Sequence, residues 1–237
     1  LTTASVDVSG AVGWISGDDV TVATTGVFTD KNVGVGNTVT LTSSYGGADK
    51  NNYTITNQAS TTADITARPI SVSGITAGNK VYNRLTTASV DVSGAVGWIS
   101  GDDVTVTSTG LFSDKNVGVG KTVTLTSNYG GADKNNYTIS DQTSTTANIT
   151  AKPITVSGIT AGNKVYNRLT TASVDVSGAV GWIAGDDVTV TTTGLFTDKN
   201  VGAAKTVNLS SSYAGTDLAN YTITDQPSTT AEITAKP

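Results

Sequence analysis

The sequence predicts an all-β protein: a tandem array of small β-sandwich modules, about seven strands each, arranged end to end as a rod. Three observations predict it. Thr is the commonest residue, at 44 of 237, followed by 26 Gly, while Glu232 is the sole glutamate. β-branched residues favour strands, and glycine favours the turns between them. Apolar and polar residues alternate with period two along many short runs, as in half-buried strands. Finally, Leu-Thr-Thr-Ala-Ser-Val-Asp-Val-Ser-Gly begins at Leu1 and returns at Leu85 and Leu169, a period of 84 residues.

The repeat sets the expected domain organisation. Residues 1–69 and 85–153 differ at 11 positions, and Ala-Arg-Pro or Ala-Lys-Pro closes each copy at Pro69, Pro153 and Pro237. The natural modules are therefore 70–153 and 154–237. Residues 1–69 form an incomplete first module that lacks the equivalent of 70–84. A period of this length exceeds the roughly 20–50 residues of a solenoid unit and suits an independent small domain. The chain opens without Met or an apolar leader, so it reads as a piece of a longer protein.

In the complete module 70–153 each element has its own justification. Ile70-Ser-Val-Ser-Gly-Ile-Thr alternates and reads as a strand. Lys80-Val-Tyr-Asn follows the Ala77-Gly78-Asn79 turn as a short extended piece. Ala88-Ser-Val-Asp-Val-Ser, Asp103-Val-Thr-Val-Thr-Ser-Thr and Thr122-Val-Thr-Leu-Thr-Ser alternate again. Asn136-Tyr-Thr-Ile-Ser and Thr146-Ala-Asn-Ile-Thr-Ala close the module. Ser100-Gly101-Asp102, the stretch from Asp114 to Gly120 and the polar run from Gly130 to Asn135 supply turn chemistry. This pattern suggests an immunoglobulin-like sandwich, with a β-grasp-like or open-barrel module as the alternative.

The core is expected from Trp98, Phe112, Tyr82, Tyr129 and Tyr137 with the alternating Val, Ile and Leu. Between modules, Ile149-Thr-Ala-Lys-Pro153 runs directly into Ile154-Thr-Val-Ser-Gly without a spacer. Pro fixes its own φ and biases Lys152 toward an extended shape, so one strand is expected to lead straight into the next.

Composition excludes much chemistry. With no Cys and no His there is no thiolate nucleophile, imidazole base, disulfide or ordinary zinc site. Basic and acidic groups number three and six in 1–69, six and six in 70–153, and five and seven in 154–237, with no basic block. Nucleic-acid binding is disfavoured, and no apolar run approaches the ~20 residues of a membrane-inserted helix. No motif singles out a catalytic residue or a cofactor-binding residue, so no enzymatic activity and no cofactor is expected. The candidates for metal are the pairs Asp18 and Asp19, Asp102 and Asp103, and Asp186 and Asp187, and calcium is the ion their oxygens suit. The competing reading is a polar turn whose Asp side chains cap backbone amides.

Several motifs in order resemble a known family. They are Ala-Lys-Pro-Ile-Thr-Val-Ser-Gly-Ile-Thr-Ala, Asn-Lys-Val-Tyr-Asn, Ser-Gly-Asp-Asp-Val, Asp-Lys-Asn-Val-Gly, Asn-Tyr-Thr-Ile and Thr-Thr-Ala-Asn-Ile-Thr-Ala-Lys-Pro. Together they resemble the YDG repeat, found in tandem in very large bacterial surface adhesins and filamentous-haemagglutinin-like exoproteins. One departure stands out. The name-giving Tyr-Asp-Gly reads Tyr82-Asn83-Arg84 and Tyr166-Asn167-Arg168 here. The resemblance implies an extracellular, cell-surface location and a structural stalk that projects a distal binding domain. The partners expected are then neighbouring modules of the same chain. The alternative is modules that themselves bind host or biofilm glycans, or like copies on other cells, in cell adhesion and biofilm or filament formation.

Overall fold

A computed structural model describes residues 2–237; Leu1, the first residue of the incomplete first repeat, lies outside the described residues. The described chain is all-β, and its helical content is confined to the single 3-10 turns Lys50–Asn52, Lys134–Asn136 and Leu218–Asn220. The period-two runs of the sequence are the strands. The two longest in the second repeat are Thr105–Phe112 and Gly118–Gly130. Their counterparts are Thr21–Phe28 with Gly34–Gly46, and Thr189–Phe196 with Gly202–Ala214.

Each complete repeat builds one five-stranded sheet. In the second repeat the order is Lys80–Val81, Ser144–Thr150, Gly118–Gly130, Thr105–Phe112, Thr87–Ala88, and the third repeat has the same order. The inner strands are antiparallel, whereas Lys80–Val81 lies parallel to Ser144–Thr150. Two further strand pairs complete the repeat. Arg68–Ser71 runs parallel to Tyr137–Ser140, and Thr76–Ala77 pairs antiparallel with Val90–Asp91. The first repeat has a four-stranded sheet of Thr3–Ala4, Thr21–Phe28, Gly34–Gly46 and Ser60–Ile65. Strand follows strand at the joins, because only Ala151 separates Ser144–Thr150 from Lys152–Thr155.

Two compact units share the chain, and their limits cut across the sequence period. One unit holds the chain through Gly74 with Ala95–Thr107 and Ser127–Gln142. Its buried cluster is Ile70, Val104 and Tyr137, with Trp98 and Ile139 against it. The other holds Ile75–Gly94, Ser108–Thr126 and Thr143–Pro237. There Phe196, Val207, Ala231 and Ile233 are packed by Ala161, Tyr166, Ala172 and Leu209. Val123, Val207 and Ile233 are fully buried; removing each such side chain from water stabilises by about 1.5–3 kcal/mol.

Glycine occupies one inward strand position in every repeat. A methyl group at Gly110 would lie 2.7 Å from Cγ2 of Val90 and 2.9 Å from Cγ1 of Val123. Gly26 and Gly194 have the equivalent neighbours. The missing side chain lets the crossing segment approach the sheet closely.

Candidate functional site

The Asp pairs sit in a turn that the fold builds the same way three times. The second Asp of each pair shapes that turn. Asp103 accepts the N–H of Ala132 at 2.9 Å, while its own N–H donates to Asp133 Oδ2 at 2.9 Å. Asp19 accepts from Ala48 and donates to Asp49 in the same way. Asp187 accepts from Thr216 and donates to Asp217. These carboxylates satisfy amides that the tight turn leaves without a ladder partner.

The first Asp of each pair faces elsewhere. Asp18, Asp102 and Asp186 each accept a short hydrogen bond from the hydroxyl of Tyr53, Tyr137 or Tyr221. Each hydroxyl in turn accepts a backbone N–H, from Ile15, Ile99 and Ile183 respectively. Burial, then the hydrogen bond to Asp186, pushes the Tyr221 hydroxyl up to about 12.

On this turn the preceding repeat closes. Lys31 Nζ lies 3.1 Å from Asp102 Oδ1 and 2.7 Å from Asp133 Oδ1. At the next joint Lys115 Nζ lies 3.5 Å from Asp186 Oδ1 and 2.6 Å from Asp217 Oδ1. An asparagine pair accompanies each lysine. Asn136 Nδ2 donates to Asn32 Oδ1 at 2.9 Å while its Oδ1 accepts the N–H of Val33 at 2.9 Å. Asn220 does the same for Asn116 and Val117, at 3.1 and 2.9 Å. Both joints therefore use one clasp: a Lys and an Asn from one repeat, two Asp and an Asn from the next.

The charges tune each other. Lys31, with the Asp103 amide, holds Asp133 below the usual carboxylate range; Tyr137 and then Lys31 do so for Asp102. Asp133, then Asp102, raises Lys31. Lys115 lowers Asp217 and is itself raised by it.

The second joint carries more. Arg84 Nε lies 2.8 Å from Asp186 Oδ1, and its guanidinium also donates to the carbonyls of Ala184 and Gly185. Tyr82 donates to Asp186 Oδ2 at 2.9 Å and meets the Tyr221 ring edge-on, with centroids 5.5 Å apart. The Asp186 side chain is wholly buried there. Arg84 takes φ +68°, a left-handed conformation that favours glycine, and Asn83 accepts the N–H of Leu85 across the turn. The turn at Tyr82-Asn83-Arg84 is thus made with Asn and a left-handed Arg, and the arginine gains Asp186.

All six Asp proposed from sequence thus have protein partners. Among the described residues no group of three or more His, Cys, Asp or Glu side chains could hold a metal ion. The sequence reading missed Lys31 and Lys115. Both lie in the recurring Asp-Lys-Asn-Val-Gly at 30–34 and 114–118, but Asp-Lys-Asn occurs also at 49–51 and 133–135, so the tripeptide does not single them out.

The YDG domain matches the chain over residues 1–63, 66–146 and 150–231. The chain belongs to the YDG-domain family. No curated protein matches it, and no solved structure does. These three YDG segments account for nearly the whole chain, and each contains one complete Asp-pair turn.

Proposed function

We propose that these YDG repeats are a structural stalk or spacer of a bacterial cell-surface or secreted adhesin, projecting a distal binding domain. The observation that carries the reading is the clasp. Lys31 with Asp102 and Asp133, and Lys115 with Asp186 and Asp217, repeat the same bonds at two successive joints. A joint made the same way each time limits bending at each step, which is what a stalk requires. The direct passage from Ser144–Thr150 into Lys152–Thr155 supports it, because no flexible spacer intervenes. The function is mechanical and extracellular, and the reading assigns no catalytic step and no cofactor.

Direct glycan binding is the second reading, and it would use aromatic side chains as stacking platforms. Every Trp, Tyr and Phe among the described residues is buried or half-buried, which favours the stalk.

Small-angle scattering, with calcium and then with a chelator, tests the proposal. A compact globule of this length has a radius of gyration of roughly 18 Å. Three modules in line give roughly 28 Å or more. The stalk reading expects the larger value in both conditions; the smaller value overturns it.

A further inference from the structure

Two strand pairs in each complete repeat run parallel, and both join its opening segments to its closing ones. In the second repeat Arg68–Ser71 lies on Tyr137–Ser140, and Val72 N–H continues the ladder to the Ser140 carbonyl at 2.9 Å. Lys80–Val81 lies on Ile149 and Thr150, and Tyr82 N–H extends that ladder to the Thr150 carbonyl at 2.9 Å. The third repeat builds both pairs again. Lys152–Thr155 lies on Tyr221–Thr224, with Val156 N–H on the Thr224 carbonyl at 2.9 Å. Lys164–Val165 lies on Ile233 and Thr234, with Tyr166 N–H on the Thr234 carbonyl at 2.9 Å.

We propose that these parallel pairs bear tension: when the chain is pulled lengthwise they are loaded in shear and hold each repeat closed. This role rests on the stalk reading, since a stalk anchored at one end and bound at the other carries tension. Topology sets the direction of loading. Tension enters a repeat at the first residue of its opening strand and leaves through its closing strand. In a parallel pair those two points lie at opposite ends of the ladder. Sliding one strand along the other then requires the evenly spaced main-chain bonds of the pair to break together. An antiparallel pair of opening and closing strands would be loaded at one end, and its bonds would open one after another.

Four features suit the pairs to this load. Val72 and Val156 donate across them, and donors alternate along a strand, so Pro69 and Pro153 fall where the ladder needs no N–H. Apolar cover keeps water from replacing a stretched bond: Ile70, Val72 and Tyr137, like Ile154, Val156 and Tyr221, are at most 8% exposed. Gln226 grips the main chain of Ile159 from both sides, accepting its N–H at 3.0 Å and donating to its carbonyl at 2.8 Å. That ties the opening segment of the third repeat to the turn ahead of its closing strand Ser228–Thr234. Finally, only Ala151 stands between Ser144–Thr150 and Lys152–Thr155, so one repeat passes its load directly to the next.

The test is single-molecule force spectroscopy on the full chain carrying Lys152→Cys and Thr222→Cys. The sequence has no cysteine of its own, so these two are unique attachment points. They lie at the same end of one parallel pair, because Lys152 pairs with Tyr221 and Pro153 with Thr222. The one protein is pulled in two ways. Tags on its two termini shear the pair, whereas handles on the two cysteines peel it. In the terminal geometry each complete repeat is marked by release of roughly 280–300 Å of chain, for a repeat of 84 residues. The cysteine geometry should open the third repeat at less than about half the force of those events at the same loading rate, since its bonds break singly. Equal or greater force through the cysteines overturns the proposal. Scattering decides the stalk separately. A rod that opens at equal force in both geometries keeps the stalk and loses the shear pairs, whereas a compact particle removes the stalk itself.

Discussion

Lys115 Nζ and Asp217 Oδ1 lie 2.6 Å apart although 102 residues separate them in the chain. The lysine belongs to the loop that follows Thr105–Phe112 of one repeat, and the aspartate to the turn ahead of Tyr221–Thr224 of the next. The Lys115 side chain is 32% exposed, and a partly exposed ion pair contributes about 1 kcal/mol or less. Lys115→Ala should therefore lower the melting temperature by only a few degrees. Its effect should appear locally, as faster amide exchange at Val117, whose N–H is held by Asn220. Unchanged exchange at Val117 would mean that the lysine does not hold the joint.

Asn220 is the more demanding member of the same clasp. It is 2% exposed and serves both Val117 and Asn116. Asn220→Ala removes both partners and leaves the Val117 amide without its acceptor. A loss of about 0.5–1.5 kcal/mol is expected, the net worth of a hydrogen bond, because the bond to Val117 is only partly buried. Chemical denaturation of wild type and variant measures it.

The sequence makes some of this visible and hides the rest for a physical reason. Strands such as Thr105–Phe112 are local: their period-two pattern is written in adjacent residues. The pairing of Arg68–Ser71 with Tyr137–Ser140 joins segments about seventy residues apart, and no local pattern encodes a partner at that distance. The run from Ile70 to Thr76 alternates as far as Ser73 and then slips phase at Gly74, whose φ of +88° turns the chain between Arg68–Ser71 and Thr76–Ala77. The adjacent Asp102 and Asp103 look alike in sequence. Asp103 caps the amide of Ala132, in a facing turn of the same repeat, and Asp102 receives a lysine from the preceding repeat. Alternation of side-chain direction separates them, and only the fold supplies what each direction meets.

Arg84 and Arg168 make a matched comparison. Both hold left-handed backbone, at φ +68° and +70°. Arg84 gains Asp186 as an ion-pair partner. Arg168 is exposed and has no ion pair among the described residues. Arg168→Gly relieves backbone strain and should stabilise by up to about 1 kcal/mol. Arg84→Gly relieves the same strain but withdraws the guanidinium from a buried carboxylate, so it should destabilise. Thermal melts of the two variants should move in opposite directions; two upward shifts would show that Asp186 gains nothing from Arg84.

At Gly110 the expectation is steric. Gly110→Ala drives a methyl group against Val90 and Val123. Crowding of this kind costs about 1–3 kcal/mol. Gly10→Ala is the control, since nothing lies within 4 Å of a methyl group there and its backbone is not left-handed. Denaturation midpoints should fall clearly for Gly110→Ala and little for Gly10→Ala.

The pH profile follows from which groups are shifted. Lys31, with the Asp103 amide, holds Asp133 below its ordinary 3.8; Lys115, with the Asp187 amide, does the same for Asp217, and Tyr137 with Lys31 for Asp102. A carboxylate lowered on folding stabilises the fold at pH above its unfolded value and loses that contribution as pH falls through the folded one. Lys31 and Lys115 are raised above 10.5. Their contribution is complete below that value and is lost as pH rises through the raised one. No histidine is present to titrate between these limits. The melting temperature should therefore be flat from about pH 5 to about pH 9 and fall below about pH 4. Amide protection at Val117 should fall on acidification ahead of that at fully buried Val123, since the clasp depends on charge and the core does not. A melting temperature that changes steadily across pH 5–9 would require an ionisable group outside the clasp to control stability.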